Sequence, residues 1–187
     1  MSICGIDEAG RGCLAGSVYA SAVVFHSEPP AGIKDSKQLS SGKRDELYQA
    51  IMLTAHVGIG IATVPEIDEI NILQATMVAM TRAFQALSIA PDHILVDGNK
   101  APDLNHPSVN TIVRGDATEI VIGAASIIAK VARDREMLRL HELHPQYDWS
   151  SNKGYGSPRH LAAIAALGPS AHHRLTFAPM RQPSLAL

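Results

Sequence analysis

Four acidic residues stand where short apolar runs give way to glycine-containing turns. Asp7 and Glu8 follow Ile3-Cys4-Gly5-Ile6, Asp97 follows His93-Ile94-Leu95-Val96 and precedes Gly98, and Asp116 follows Gly115 shortly after the β-branched stretch Thr111 to Val113. The ends of strands in an open α/β sheet share a rim, so acids far apart in sequence can converge there. Carboxylates gathered in one place repel, and such a cluster persists only if cations neutralise it or some acids keep their protons. Oxygen donors without His or Cys suit hard ions, Mg²⁺ or Mn²⁺, which retain waters and complete their coordination with phosphate oxygens. The chemistry indicated is phosphoryl transfer rather than peptide hydrolysis. Taken alone, however, Asp7-Glu8 before glycine is more often a solvated acidic turn. Neighbours on a regular strand also point to opposite faces, so both reach one site only if the strand ends there, which Gly10 and Gly12 would allow.

The elements that must position these residues follow from periodicity. Ile3 to Ile6 and Val18 to Phe25 read as two strands of a hairpin around the glycine-rich run Ala9 to Gly16, and Val57 to Val64 as a further buried strand. Lys43 to Ala55 is a modest helix with Ser40 or Ser41 as cap and Leu47 and Ile51 inward. Ile70, Leu73, Met77, Met80, Phe84 and Leu87 recur at helical spacing. A Met-rich stripe of this kind can bind a partner, but core packing is the simpler reading. Ala124 to Leu143 predicts a long helix with Ile127, Ile128, Val131 and Leu138 inward and Ser126, Lys130 and Arg133 along a polar stripe, and Pro158 to Leu167 a helix with proline in its first turn.

A length of 187 residues accommodates one domain with a full core. Nothing approaches an uninterrupted apolar membrane span, and Met1-Ser2 runs directly into a strand-like segment, so the expectation is a cytoplasmic protein. Cys4 and Cys13 form neither a disulfide framework nor a CxxC pair and read as small packing residues. The net charge of −2 argues mildly against a polyanion binder, but the charge is divided: residues 1–99 carry 6 basic and 11 acidic side chains, residues 100–187 carry 10 and 7. The cationic surplus is C-terminal, as a nucleic-acid-facing half requires.

Read in order, the segments resemble the type 2 ribonuclease H family in its bacterial ribonuclease HII form. The resemblance rests on Gly5-Ile6-Asp7-Glu8-Ala9-Gly10-Arg11-Gly12, Asp35-Ser36-Lys37-Gln38-Leu39, Val96-Asp97-Gly98, Gly115-Asp116-Ala117, the run Ala124 to Asp134, Lys153-Gly154-Tyr155-Gly156 with His160, and His173-Arg174-Leu175-Thr176-Phe177. It implies an α/β ribonuclease H-like fold, a mixed central sheet flanked by helices, with a C-terminal helical region, as one catalytic domain over residues 1–180 and a disordered tail over 181–187.

The resemblance also implies roles. Asp7, Glu8, Asp97 and Asp116 match the metal-binding catalytic acids, Gly10-Arg11-Gly12 the element that contacts the ribose 2′-OH, and Tyr155 the tyrosine that stacks on the following deoxyribose. Lys37, Ser126 and Lys130 are candidate phosphate contacts, the alternative being solvated lysines and a helix-packing serine. Arg133 and Asp134 would act as salt-bridge or supporting residues rather than in catalysis. His172-His173 could bind a transition metal, but the resemblance makes His173 structural.

The activity implied is Mg²⁺- or Mn²⁺-dependent endonucleolytic cleavage, with two ions, 5′ to ribonucleotides in RNA–DNA hybrids and at single ribonucleotides in duplex DNA, by a monomer supporting ribonucleotide removal. Alternatives are another nuclease of the same fold and a non-catalytic nucleic-acid-binding module. In the family a proline commonly occupies the places held here by Cys13 and Ser17, changes that relax the first loop but remove no ligand. The tail Gln182 to Leu187 loosely resembles the short peptides by which bacterial replication proteins dock on the sliding clamp.

Overall fold

Alternation of side chains along the first strand decides what each helix covers. In the structure, a computed structural model describing residues 1–33 and 39–181, β1 (Ile3–Ala9) pairs antiparallel with β2 (Val18–Phe25) and parallel with β4 (His93–Asp97). β3 (Ala55–Ala62) and β5 (Val109–Ile112) complete a mixed sheet of order β3-β2-β1-β4-β5. Lys37 and the tail 182–187 lie outside the described residues.

On one face, Cys4 and Ile6 with Val18, Ala20, Ala22 and Val24 pack against α2 (Val64–Gln85). On the other, α1 (Ser41–Thr54) and α4 (Ile120–Leu143) close over Val23 with Leu47, Ile51, Ala124, Ile127 and Ile128. Both cysteines are fully buried and unpaired, as expected of packing residues. Ser40 caps α1, its Oγ accepting from Lys43 N at 3.2 Å. After α3 (Gly115–Thr118) and α4 come a 3₁₀ turn (Pro145–Tyr147), α5 (Trp149–Asn152), α6 (Pro158–Leu167) and α7 (Ala178–Arg181), the C-terminal helical region. No helix among the described residues is long and apolar enough to cross a membrane.

Three expectations are corrected. α2 is broken at Asn71, whose φ of 68° is left-handed and whose Oδ1 accepts from the amides of Leu73 and Gln74, capping the second helical run. Its fully buried face is Ala75, Ala79, Met80 and Ala83, while Leu73, Met77 and Phe84 are only half-buried. The reason is close approach: a Cβ on Gly60 of β3 would stand 2.1 Å from the Ala79 carbonyl, so small residues must meet there. On α4, Leu138 is 44% exposed and Arg133 is fully buried, the reverse of the expected stripes. Beyond Val131 the helix leaves the sheet and presents Met137 and Leu140 to Ala15, Tyr147 and Trp149 instead.

α4 crosses β1 at Gly5, where an added Cβ would lie 2.2 Å from the Val121 backbone carbon. Backbone cannot yield as a side-chain tip can, so Gly5→Ala is expected to destabilise the protein by about 2–3 kcal/mol. A chemical-denaturation midpoint within error of wild type would contradict this packing.

Candidate active site

β1 does not end at the acids. Asp7 and Glu8 are still paired with Ser21 and Ala20 of β2, so the expectation that the strand stops there is corrected. Instead the neighbour stops: β4 pairs with β1 only as far as Ile6↔Val96. One further step in that register sets Asp97 beside Asp7, on the face covered by α4, while Glu8 points to the α2 face. Both faces open at the end of β4 into a cleft of about 210 Å³ lined by Asp7, Glu8, Asp97, the Gly10–Gly12 loop, Ser126, Lys130 and Tyr155.

Asp7 is 4% exposed. Burial, then the charges of Glu8 and Asp97, push its carboxyl well above the usual range, against hydrogen bonds from Ser126 and from the Glu8 amide at 2.7 Å. Asp97 Oδ1 accepts from Gly115 N at 2.7 Å. That bond ties β4 to α3, entered through Arg114 at a left-handed φ of 59°. Asp116 is the next residue, 8% exposed, adjacent to this junction but outside the cleft lining. Among the described residues no three His, Cys, Asp or Glu side chains stand at metal-ligand spacing, so the acids border a common space without forming a closed cage. An oxygen-only donor set with mutual repulsion at a buried carboxylate suits a hard divalent cation whose shell is completed by water and substrate.

The polar neighbours are already engaged. Lys130 pairs with Asp134 at 2.5 Å, and Arg11 with Glu8 at 3.2 Å. Ser126, considered as a phosphate contact, directs its hydroxyl to Asp7.

Sequence reasoning missed what shapes the glycine loop. Arg174 donates to the carbonyls of Gly10 (2.7 Å), Arg11 (2.9 Å) and Gly16 (3.0 and 2.8 Å). Arg133 donates to those of Ala15, Ser17 and Lys153 at 2.9–3.2 Å. Both are fully buried, and burial followed by the charge of Arg133 lowers Arg174 to about 10. Arg133 is therefore a clamp on backbone rather than a salt-bridge residue. Gly10, at φ +98°, has no room for a Cβ, which would stand 2.0 Å from Arg133 Nε. Because carbonyl and amide of a trans peptide point in opposite directions, turning the Gly10 and Arg11 carbonyls inward turns the Arg11 and Gly12 amides outward. Neither amide has a hydrogen-bond partner among the described residues. Only the buried side chains of a folded molecule reveal this; an arginine in sequence carries no mark of burial.

Tyr155, 49% exposed, stands opposite Gly12, with its Cε1 3.9 Å from the position of a Gly12 Cβ. Burial, then the Cys13 thiol, raises its phenol above the ordinary value. Its carbonyl accepts from His160 Nδ1 at 2.8 Å, and His160 Nε2 lies 3.0 Å from both Trp149 Nε1 and His173 Nε2. Ser170 N donates to His173 Nδ1. The pattern requires both imidazoles neutral: His160 accepts at Nε2, His173 at Nδ1, and a proton at either site breaks a bond. His173 is thus structural among the described residues rather than part of a metal cluster.

Burial, then His160, lowers His173 to about 4. A depressed histidine binds its proton in the unfolded chain first, so stability is full above about 6.5 and falls as pH drops toward 4, by up to about 3 kcal/mol. Urea midpoints between pH 7 and 4.5 test this. The raised carboxyl of Asp7 contributes with the opposite sign and persists in His173→Gln, so the wild-type decline should flatten in that variant; equal slopes would dismiss the histidine as the cause.

The family profile described as Ribonuclease HII matches residues 4–180. A ribonuclease HII of Rhizorhabdus wittichii is 53% identical over 186 residues, covering 99% of this chain and 92% of that protein. The ribonuclease H2 of Pyrococcus horikoshii superposes with a TM-score of 0.79 at 29% identity, covering 97% and 96% of the two chains. The ribonuclease HII of Archaeoglobus fulgidus, solved as a complex with PCNA, gives 0.81 at 28% identity over 99% and 98%. A match running from the first strand to the last helical turn, over nearly the whole of each relative, means that the chain belongs to the ribonuclease HII family, whose members are metal-dependent ribonuclease H hydrolases.

Proposed function

We propose that this chain, acting as a monomeric cytoplasmic enzyme with one catalytic domain, hydrolyses the phosphodiester 5′ to a ribonucleotide in RNA–DNA hybrids and at single ribonucleotides embedded in duplex DNA. The observation that carries the reading is the pair of outward amides at Arg11 and Gly12, held on the same cleft as Asp7, Glu8 and Asp97. A 2′-OH is donor and acceptor, the single group separating ribose from deoxyribose at one nucleotide. Fixed amides beside the carboxylates read it at the position where the adjacent phosphate must lie. Tyr155 faces the same loop and offers a ring on which the next sugar stacks.

Asp7, Glu8, Asp97 and Asp116 are the residues that would hold Mg²⁺ or Mn²⁺. When bound, two such ions supply an activated water and neutralise charge on the leaving 3′-oxygen. The chain's own residues orient the strand: the loop amides fix the ribose and Ser126 keeps Asp7 turned toward the cleft, while Lys130, on the cleft wall and paired with Asp134, and Lys37, on the family resemblance alone, are proposed phosphate contacts. Tail residues Gln182–Leu187 are a proposed sliding-clamp contact, supported by their composition and by the Archaeoglobus relative solved with PCNA. Deleting them without loss of clamp binding would refute that contact.

The deciding assay compares labelled duplexes carrying none, one or several ribonucleotides, with Mg²⁺ or Mn²⁺. The expected result is a single cut 5′ to the ribonucleotide, leaving 3′-hydroxyl and 5′-phosphate ends. Equal cutting of the all-DNA duplex would reject the reading in favour of an unspecific nuclease.

A further inference from the structure

A second cavity stands apart from the acidic cleft. It measures about 610 Å³ and lies between the second run of α2 and the segment Lys100–Asp103. A narrow furrow of about 80 Å³ joins the two: it shares Glu8, Arg11 and Asp97 with the cleft, and Leu73, Met77 and Lys100 with the cavity. We propose that this furrow and cavity bind the flanking nucleotides of the strand being cut, Lys100 taking a phosphate and the apolar wall of Leu73 and Met77 receiving a sugar or base. The inference rests on the proposed function and extends its substrate contacts to the α2 side of the molecule.

Three observations support this occupant. The path is continuous with the acids, so a strand with its scissile phosphate at Asp97 meets the furrow next. Lys100 supplies the positive charge: it is exposed and borders both spaces with no partner among the described residues, whereas Arg82 on the far wall is committed to Glu66 at 2.6 Å and the lining carboxylate Asp103 accepts from the Asn105 amide at 3.1 Å. The distance is suitable as well. Three residue steps separate Asp97 from Lys100, at most about 11 Å of backbone, which corresponds to about three nucleotides at 3.4 Å rise per strand. A cavity of this size falls in the range of about 300–1,000 Å³ that encloses a small organic group.

The test uses the whole chain and ribonucleotide-bearing duplexes that carry one uncharged methylphosphonate at each successive position around the cut. Wild type is expected to lose about fivefold in kcat/KM at one phosphate within three nucleotides of the scissile bond, the size of a single charge contact. Lys100→Ala should show the same loss on the unmodified duplex, no further loss at that position, and a salt dependence of log kcat/KM shallower by about one. Val78→Trp, which narrows the cavity, should raise KM about fivefold with little change in kcat. Unaltered cleavage by both variants, or a Lys100→Ala loss that simply adds to the loss at every methylphosphonate, overturns the proposal. Failure of the proposed function itself would be reported separately, by wild type cutting ribonucleotide-free duplex equally well.

Discussion

Asp97→Asn is expected to lower kcat/KM on a ribonucleotide-bearing duplex by at least about 10³-fold, since preorganised charge at the reacting phosphate supplies the largest catalytic effects. The fold should not suffer. Asparagine keeps the oxygen that accepts from Gly115 N, and losing the charge relieves one of the two repulsions that, after burial, raise the Asp7 carboxyl. Thermal stability without metal should therefore equal or exceed that of wild type by about 1 kcal/mol, the signature of a site that sacrifices stability for chemistry. Melting temperature and single-turnover cleavage measured on one preparation test both halves. Near-wild-type cleavage would remove Asp97 from the catalytic set, and a large drop in melting temperature would make it structural.

Arg174→Ala is the second large effect, with stability falling by about 3–5 kcal/mol because the carbonyls of Gly10, Arg11 and Gly16 lose the guanidinium together, those of Gly10 and Gly16 in buried bonds. The loss should extend beyond stability. With the Gly10 and Arg11 carbonyls released, the outward amides lose their fixed direction, so whatever folds at low temperature should discriminate less between ribose and deoxyribose. Urea denaturation gives the first number, and the ratio of rates on one-ribonucleotide and all-DNA duplexes gives the second. A variant within about 1 kcal/mol of wild type and with unchanged discrimination would mean that the loop holds its shape without the clamp. Arg174→Lys, retaining charge but reaching fewer carbonyls, should fall between the two.

Local signals were legible where one residue's environment is set by its near neighbours in the chain. An uncharged run of Val, Ala and aromatic residues after a turn marked Val18–Phe25 to the residue, Ser40 and Pro158 marked helix starts, and the lack of a disulfide framework or CxxC spacing marked Cys4 and Cys13 as packing residues. The stripes on α2 and α4 were legible as helical, and Met80, Ile127, Ile128 and Val131 as inward, but the sides taken by Leu138 and Arg133 were not. Which face is buried depends on the partner, and α4 changes partner from sheet to C-terminal segment along its length.

At the site the same division holds. By itself the sequence determined that Asp7, Glu8 and Asp97 succeed short apolar runs, that a glycine loop succeeds the first pair, and to which family their order belongs. Only the tertiary structure decided that Asp7 and Glu8 lie within a continuing strand and reach one cleft because β4 stops short. It alone turned two buried arginines onto the carbonyls of the loop, set Asp116 behind the Gly115 junction, and joined the acids to a cavity along α2. The reason is physical: strand periodicity and turn chemistry act between near neighbours in the chain, whereas burial and hydrogen-bond partners of a long polar side chain depend on segments more than a hundred residues away, as Arg174 and Gly10 are.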